Sequence, residues 1–138
     1  MECIFCKIAA GAIPAYKVYE DGNVLAFLDI NPMVLGHTLV IPKVHSITLM
    51  DTSDEILGPL FASVKKVAGG ITKALNAHGF NIYANNGRAA RQGVDHLHIH
   101  IVPRFENDPL GHWPHLKPVE YGPGEIEQVT DKIRSELN

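Results

Sequence analysis

The chain has 138 residues and a mass of 15.1 kDa; 46% of the residues are hydrophobic and 20% charged, with a formal net charge of −3. That is the size and composition of one globular domain, 1–138. No run approaches the about 18 consecutive apolar residues of a membrane span, and Met1-Glu2-Cys3 lacks the basic-then-apolar opening of a signal peptide, so a cytoplasmic protein without a membrane partner is expected. A pI near 6.2 with no basic run excludes a broad surface for long nucleic acid, although a small anionic ligand needs only a local site.

Cys3 and Cys6 stand three apart at the start, too close and too few for a disulfide framework, and read as metal-binding or redox thiols. Val18-Tyr19 and Asn23 to Asp29 are expected as strands around an Asp21-Gly22 turn, and Ile30-Asn31-Pro32 breaks the run. A third strand is expected at His37 to Ile41, stopped by Pro42. From Thr52 to His78 the period lengthens, with Leu57, Leu60, Phe61, Val64, Val67, Ala68, Ile71 and Leu75 recurring every three or four residues as in a long amphipathic helix. Thr52 and Glu55 have capping-box spacing. Gly58-Pro59 falls in the first turns, so the helix either kinks there or becomes regular at Pro59.

Phe80 to Asn85 is another expected strand, Asn86-Gly87 a turn, and His96 to Val102 a strand ended by Pro103. A long Pro- and Gly-rich loop runs from Arg104 to Gly124. A helix is then expected at Glu125 to Leu137, with Ile126, Val129, Ile133 and Leu137 on one side. Strands joined by tight turns point to an α+β domain, with a long helix packed on an antiparallel sheet.

The chain carries eight histidines, three of them in His96-Leu97-His98-Ile99-His100-Ile101-Val102. Alternation on a strand sends Leu97, Ile99 and Ile101 to the core and lines the other face with three imidazoles about 6.6 Å apart. Imidazole titrates near neutral pH, attacks phosphorus or carbonyl carbon as the neutral base, and donates to phosphate oxygens. A row on a rigid strand can divide those roles.

This heptad resembles the signature of the histidine-triad (HIT) superfamily of nucleotide hydrolases and transferases. Further matches to its Hint-like branch are Cys3 to Ile8, Ile13-Pro14, Val24 to Ile30, Gly36 to His45 and Asn85-Asn86-Gly87; the resemblance is best over 3–104 and weaker in the loop and helix of 105–138. It implies a HIT-like fold: an antiparallel sheet of about five strands, one long helix, a C-terminal helix, and a homodimer in which two sheets join.

The resemblance also implies site residues. His98 matches the nucleophile, His100 the group that bonds a phosphate oxygen, and His37 the fourth histidine of the catalytic cluster. Asp29 matches the carboxylate that takes the ribose hydroxyls, Phe5, Ile8, Ile13 and Ile30 the base pocket, Asn85 a phosphate-contacting amide, and Gln92-Gly93 the loop whose N–H groups meet phosphate. Cys3, Cys6, His45 and His96 match a structural zinc site, as in many bacterial members. No organic cofactor is implied. Two departures stand in this loop: Arg91 where the family usually has Gly, leaving open phosphate affinity or a solvent position, and Gly93 where it often has Ser or Thr, so that a donating hydroxyl is missing.

The implied activity is hydrolysis at the α-phosphate of a nucleoside 5′-phosphoramidate or related conjugate, with a purine nucleotide as substrate and a nucleotidyl-histidine as intermediate. The alternatives are dinucleoside polyphosphate hydrolysis, nucleotidyl transfer, or nonenzymatic nucleotide binding as a scaffold. His78, His112, His115 and Trp113 receive no role.

Overall fold

The computed structural model describes residues 2–108 and 119–137. His112, His115 and Trp113 lie outside them. Two strands, β1 (Lys17–Glu20) and β2 (Val24–Leu28), form the expected hairpin. Asp21 shapes its turn: Oδ1 accepts from the backbone N–H groups of Asn23 and Val24 at 2.8 and 2.9 Å. β3 (Thr38–Pro42), β4 (Gly79–Tyr83) and β5 (Ile99–Arg104) complete an antiparallel sheet of order β1-β2-β3-β5-β4.

Three helices surround the sheet: α1 (Ile4–Ala9), α2 (Asp54–Leu75) and α3 (Glu125–Leu137). Antiparallel strands with one wet face would alternate in burial, yet all five residues of both β2 and β3 are buried. Both faces are covered. On one side Val24, Ala26, Val40, Leu97, Ile99 and Ile101 meet Leu60, Val64, Val67 and Ile71 of α2 and Ile133 of α3; on the other, Leu25, Phe27, Leu39 and Ile41 meet Phe5 and Ile8 of α1. The α2–α3 crossing is close because Gly70 lacks a Cβ; one built there would stand 2.5 Å from Leu137 Cδ2.

Several expectations are corrected. The long helix spans 54–75 rather than 52–78 and passes unbroken through Pro59. Its N-cap is Ser53, without a side-chain cap bond; the Thr52 hydroxyl is spent on the Thr48 carbonyl at 2.7 Å. The capping box belongs instead to Thr48 and Asp51, over a 3-10 turn at Leu49–Asp51. Asn76 ends α2 in the left-handed region that asparagine tolerates.

Pro103 does not end β5, which runs to Arg104. Pairing with β3 stops at Ile101, so on that side no ladder bond requires an N–H from Pro103. The strand also begins later than expected, at Ile99. His96 and His98 stand in the approach to it, held by Leu97 N–H donating to the Ser46 carbonyl (2.8 Å) rather than by a ladder. Alternation survives without the ladder: Leu97, Ile99 and Ile101 all enter the α2 core.

Candidate active site

His98 and His100 lie on the α1 side of the sheet, at the foot of a cleft of about 400 Å³. Its walls are the apolar side chains of α1 and its following turn (Phe5, Ile8, Ile13), with Phe27, Leu39 and the outward-facing Ile30. Asp29 and, from the loop before the triad, Asn85, Arg91, Gly93 and Val94 also line it. Of the ten residues matched to nucleotide contacts, nine line this cleft.

Gln92 is the exception. Its side chain is buried, donates from Nε2 to the Ile47 and Val94 carbonyls (2.6 and 3.0 Å) and accepts from Gly87 N–H (2.8 Å), while its own backbone N–H donates to the Gly87 carbonyl (3.1 Å). Every polar group but its carbonyl is committed to shaping the loop. The backbone N–H of Gly93, by contrast, has no partner among the described residues.

Hydrogen bonds determine which ring nitrogens carry protons. His98 Nδ1–H donates to the His96 carbonyl at 2.7 Å, so Nε2 of His98 presents a lone pair. His37 accepts the backbone N–H of Met33 at Nδ1 (3.1 Å), which leaves its proton on Nε2. That Nε2–H lies 2.9 Å from Nδ1 of His100 and donates to it. His100 is thereby left with its proton on Nε2, a buried atom with no partner among the described residues. The cleft floor thus offers an unprotonated imidazole nitrogen beside an N–H donor with no partner among the described residues.

His37 can reach this position because Gly36 precedes it. Gly36 has φ +96, and a Cβ there would collide with Leu75 and lie 3.2 Å from Pro103 Cγ. Asp29 divides its oxygens: Oδ1 accepts from Asn31 N–H (2.9 Å) in the turn, and Oδ2 stands 3.7 Å from His37 Nε2. Two contacts had no signal in the sequence. Tyr83 stacks on His100 with ring centroids 4.2 Å apart, a pairing set by the β4–β5 register, and Phe5 meets His98 edge-on at 5.1 Å.

Burial is the largest influence on these rings. It holds His37 down at about 4 and His100 at about 3, and lowers His98 as well, against the opposing pull of its bond to His96 and of Asp29. All three are neutral at pH 7. Above about 6.5 neither the folded nor the unfolded chain protonates them, so their contribution to stability is complete. As pH falls from there towards 4, the unfolded chain takes up protons that the folded chain refuses, and stability declines. Denaturant titrations at pH 7.5, 6, 5 and 4 are expected to show this decline, and it becomes shallower in the H37N/H100N variant; an unchanged slope would remove the assignment to this pair.

A second cluster adjoins the first. Cys3 Sγ lies 3.3 Å from Nδ1 of His96, Cys6 Sγ 3.3 Å from Nδ1 of His45 and 3.5 Å from that of His96, and the two Nδ1 atoms are 3.2 Å apart. A tetrahedral zinc at ordinary bond lengths would have edges of about 3.3 Å between nitrogens and about 3.6 Å between sulfur and nitrogen. His96 Nε2–H donates to the Pro42 carbonyl at 2.8 Å, which leaves Nδ1 unprotonated and facing the cysteines. These four residues could hold a metal ion.

The model of the HIT domain matches residues 10–107. This chain belongs to the HIT domain family. Adenosine 5′-monophosphoramidase hnt1 of Schizosaccharomyces pombe is 44% identical over 99% of the HIT chain and 99% of its own length. Adenylylsulfatase HINT3 of Arabidopsis thaliana is 44% identical over 79% of this chain, which matches 55% of that longer protein. Among solved structures, a Zn-bound histidine triad family protein from Mycobacterium smegmatis superimposes with a TM-score of 0.86 at 39% identity, covering 99% of this chain and 94% of that one. No helix among the described residues of this HIT protein is long and apolar enough to cross a membrane.

Proposed function

We propose that the chain is a nucleotide hydrolase that cleaves at the α-phosphate of nucleoside 5′-phosphoramidates or related conjugates and releases a nucleoside monophosphate. The observation that carries this reading is the pair of opposite tautomers on the cleft floor, His98 with a lone pair at Nε2 and His100 with a proton there. In this reading the base, a purine, lies among Phe5, Ile8, Ile13 and Ile30, and the ribose hydroxyls meet Oδ2 of Asp29. His100 Nε2–H and the free N–H of Gly93 hold the phosphate, with Asn85 beside them.

His98 Nε2 attacks the α-phosphorus as the P–N or P–O bond to the leaving group breaks; the electron pair stays on the departing atom, and a departing amine takes its proton from solvent. The imidazolium so formed keeps its Nδ1–H on the His96 carbonyl, and the charge of Asp29 favours it. Water then attacks phosphorus, the P–N bond returns its electron pair to Nε2, and the monophosphate departs. The names of the phosphoramidase and adenylylsulfatase relatives support this chemistry.

Zinc is the metal that suits Cys3, Cys6, His45 and His96, since thiolates and imidazoles in a closed set of four are its structural ligands, and the zinc-bound relative supports the choice. There it would cross-link α1 to the approach of β5 and have no part in the reaction. Cysteines kept out of disulfides in this way suit the reducing cytoplasm. A homodimer through β4 is supported by its position at the sheet edge and by Phe80 and Ile82, which lie exposed on the α2 face.

The deciding experiment is rapid quenching of the protein with adenosine 5′-phosphoramidate. The expected result is AMP release with a transient covalent nucleotidyl-protein, seen by intact mass. Tight AMP binding with neither would make the chain a binding or scaffold protein.

A further inference from the structure

Arg91 is the single cation among the residues that line the cleft, and Asp29 the single carboxylate. Its side chain is exposed, so it stands at the mouth while His98 lies buried at the foot. No carboxylate pairs with Arg91 among the described residues. Its backbone is left-handed, φ +69, a conformation that costs an L-residue on the order of 1 kcal/mol and glycine nothing. Asn85 Nδ2 donates to its carbonyl at 3.3 Å, fixing the residue at the rim beside Gly93.

The direction of the reaction gives this position a meaning. In-line attack from buried His98 drives the leaving group to the opposite side of phosphorus, outward to the mouth. Of the lining residues, those of the loop, Asn85, Arg91, Gly93 and Val94, offer a guanidinium, an amide and backbone; the one phenol and the one carboxylate of the lining, Tyr16 and Asp29, belong to the β1–β2 side, where Leu28 N–H donates to the Tyr16 carbonyl. Guanidinium neutralises an oxyanion through paired N–H donors but does not give up a proton. An amine leaving group needs that proton; a sulfate, phosphate or carboxylate does not.

We infer that Arg91 receives the leaving group, and that the site prefers nucleotide conjugates whose leaving group departs as an oxyanion over those from which an amine departs. This rests on the hydrolase reading above and names its substrate class. In the step, the P–N bond to His98 Nε2 forms, the P–O bond to the leaving group breaks, and its electron pair stays on the departing oxygen opposite Arg91. Water later replaces His98 on phosphorus and releases its proton to solvent.

The test compares kcat/KM for adenosine 5′-phosphosulfate and adenosine 5′-phosphoramidate in the natural chain and in R91Q, R91G and R91K. Loss of one charge-assisted contact is expected to lower the sulfate-to-amidate ratio about tenfold to hundredfold in R91Q and R91G, and R91K keeps it within a few-fold. R91G frees the left-handed backbone, so its falling ratio would not be a folding defect. A ratio unchanged in R91Q and R91G overturns the role of Arg91, whether or not both rates fall together. Turnover of neither substrate by the natural chain overturns the hydrolase reading itself.

Discussion

His98→Ala is expected to reduce turnover by at least about 10⁴-fold while AMP binds within a few-fold of its original affinity. The asymmetry follows from where the residues stand. In the proposed reading base and ribose meet Phe5, Ile8, Ile13, Ile30 and Asp29, and His100 still presents its Nε2–H, so most of the binding surface outlives the substitution. What disappears is the nitrogen on the cleft floor, His98 Nε2, kept as a lone pair by the bond that Nδ1–H donates to the His96 carbonyl at 2.7 Å. His98→Asn keeps a polar group against Phe5 and guards against a packing artefact. Steady-state kinetics beside calorimetric AMP titration would check both halves; turnover within tenfold of normal in His98→Ala would eliminate the nucleotidyl-histidine.

The second large effect is expected from metal removal. α1 has six residues, too few to persist as a helix without tertiary help. Cys3 caps it and reaches His96, and Cys6 lies in its first turn and reaches both His45 and His96; Phe5 and Ile8 carry its other face into the cleft wall. Stripping the metal, or the C3S/C6S substitution, is therefore expected to weaken AMP binding at least about tenfold and to lower Tm by several degrees, with α2 and α3 still helical by circular dichroism. Linkage requires the reciprocal: AMP tightens metal binding by the same factor. The readouts are equilibrium AMP affinity and amide exchange in α1, neither of which depends on turnover. An AMP affinity within twofold of normal in demonstrably metal-free protein would break the connection.

The fold was legible where a periodic pattern repeated often enough to average out exceptions. The α2 stripe, the α3 stripe, the Asp21-Gly22 hairpin and the His/apolar alternation all reappear in the structure, because each depends on the geometry of a few adjacent residues. α1 was missed, since a single turn and a half has no period to detect. The Thr52–Glu55 spacing misled because Thr48–Asp51 offered the same chemistry four residues earlier and only the path of the chain chose between them.

The candidate site divides in the same way. By itself the sequence determined the inventory: three imidazoles facing one side, a fourth at His37, two thiols, and an acid at the end of a strand. Only the tertiary structure decided what each atom does. The proton on His100 Nε2 follows from a relay that begins at Met33 N–H and crosses 63 positions of chain between His37 and His100. Register set Tyr83 against His100, and loop closure committed the Gln92 side chain to Gly87 and Ile47. Alternation is a local property of an extended backbone, so it can be read along the chain. A tautomer is decided by whichever donor or acceptor arrives from elsewhere, and nothing local records it.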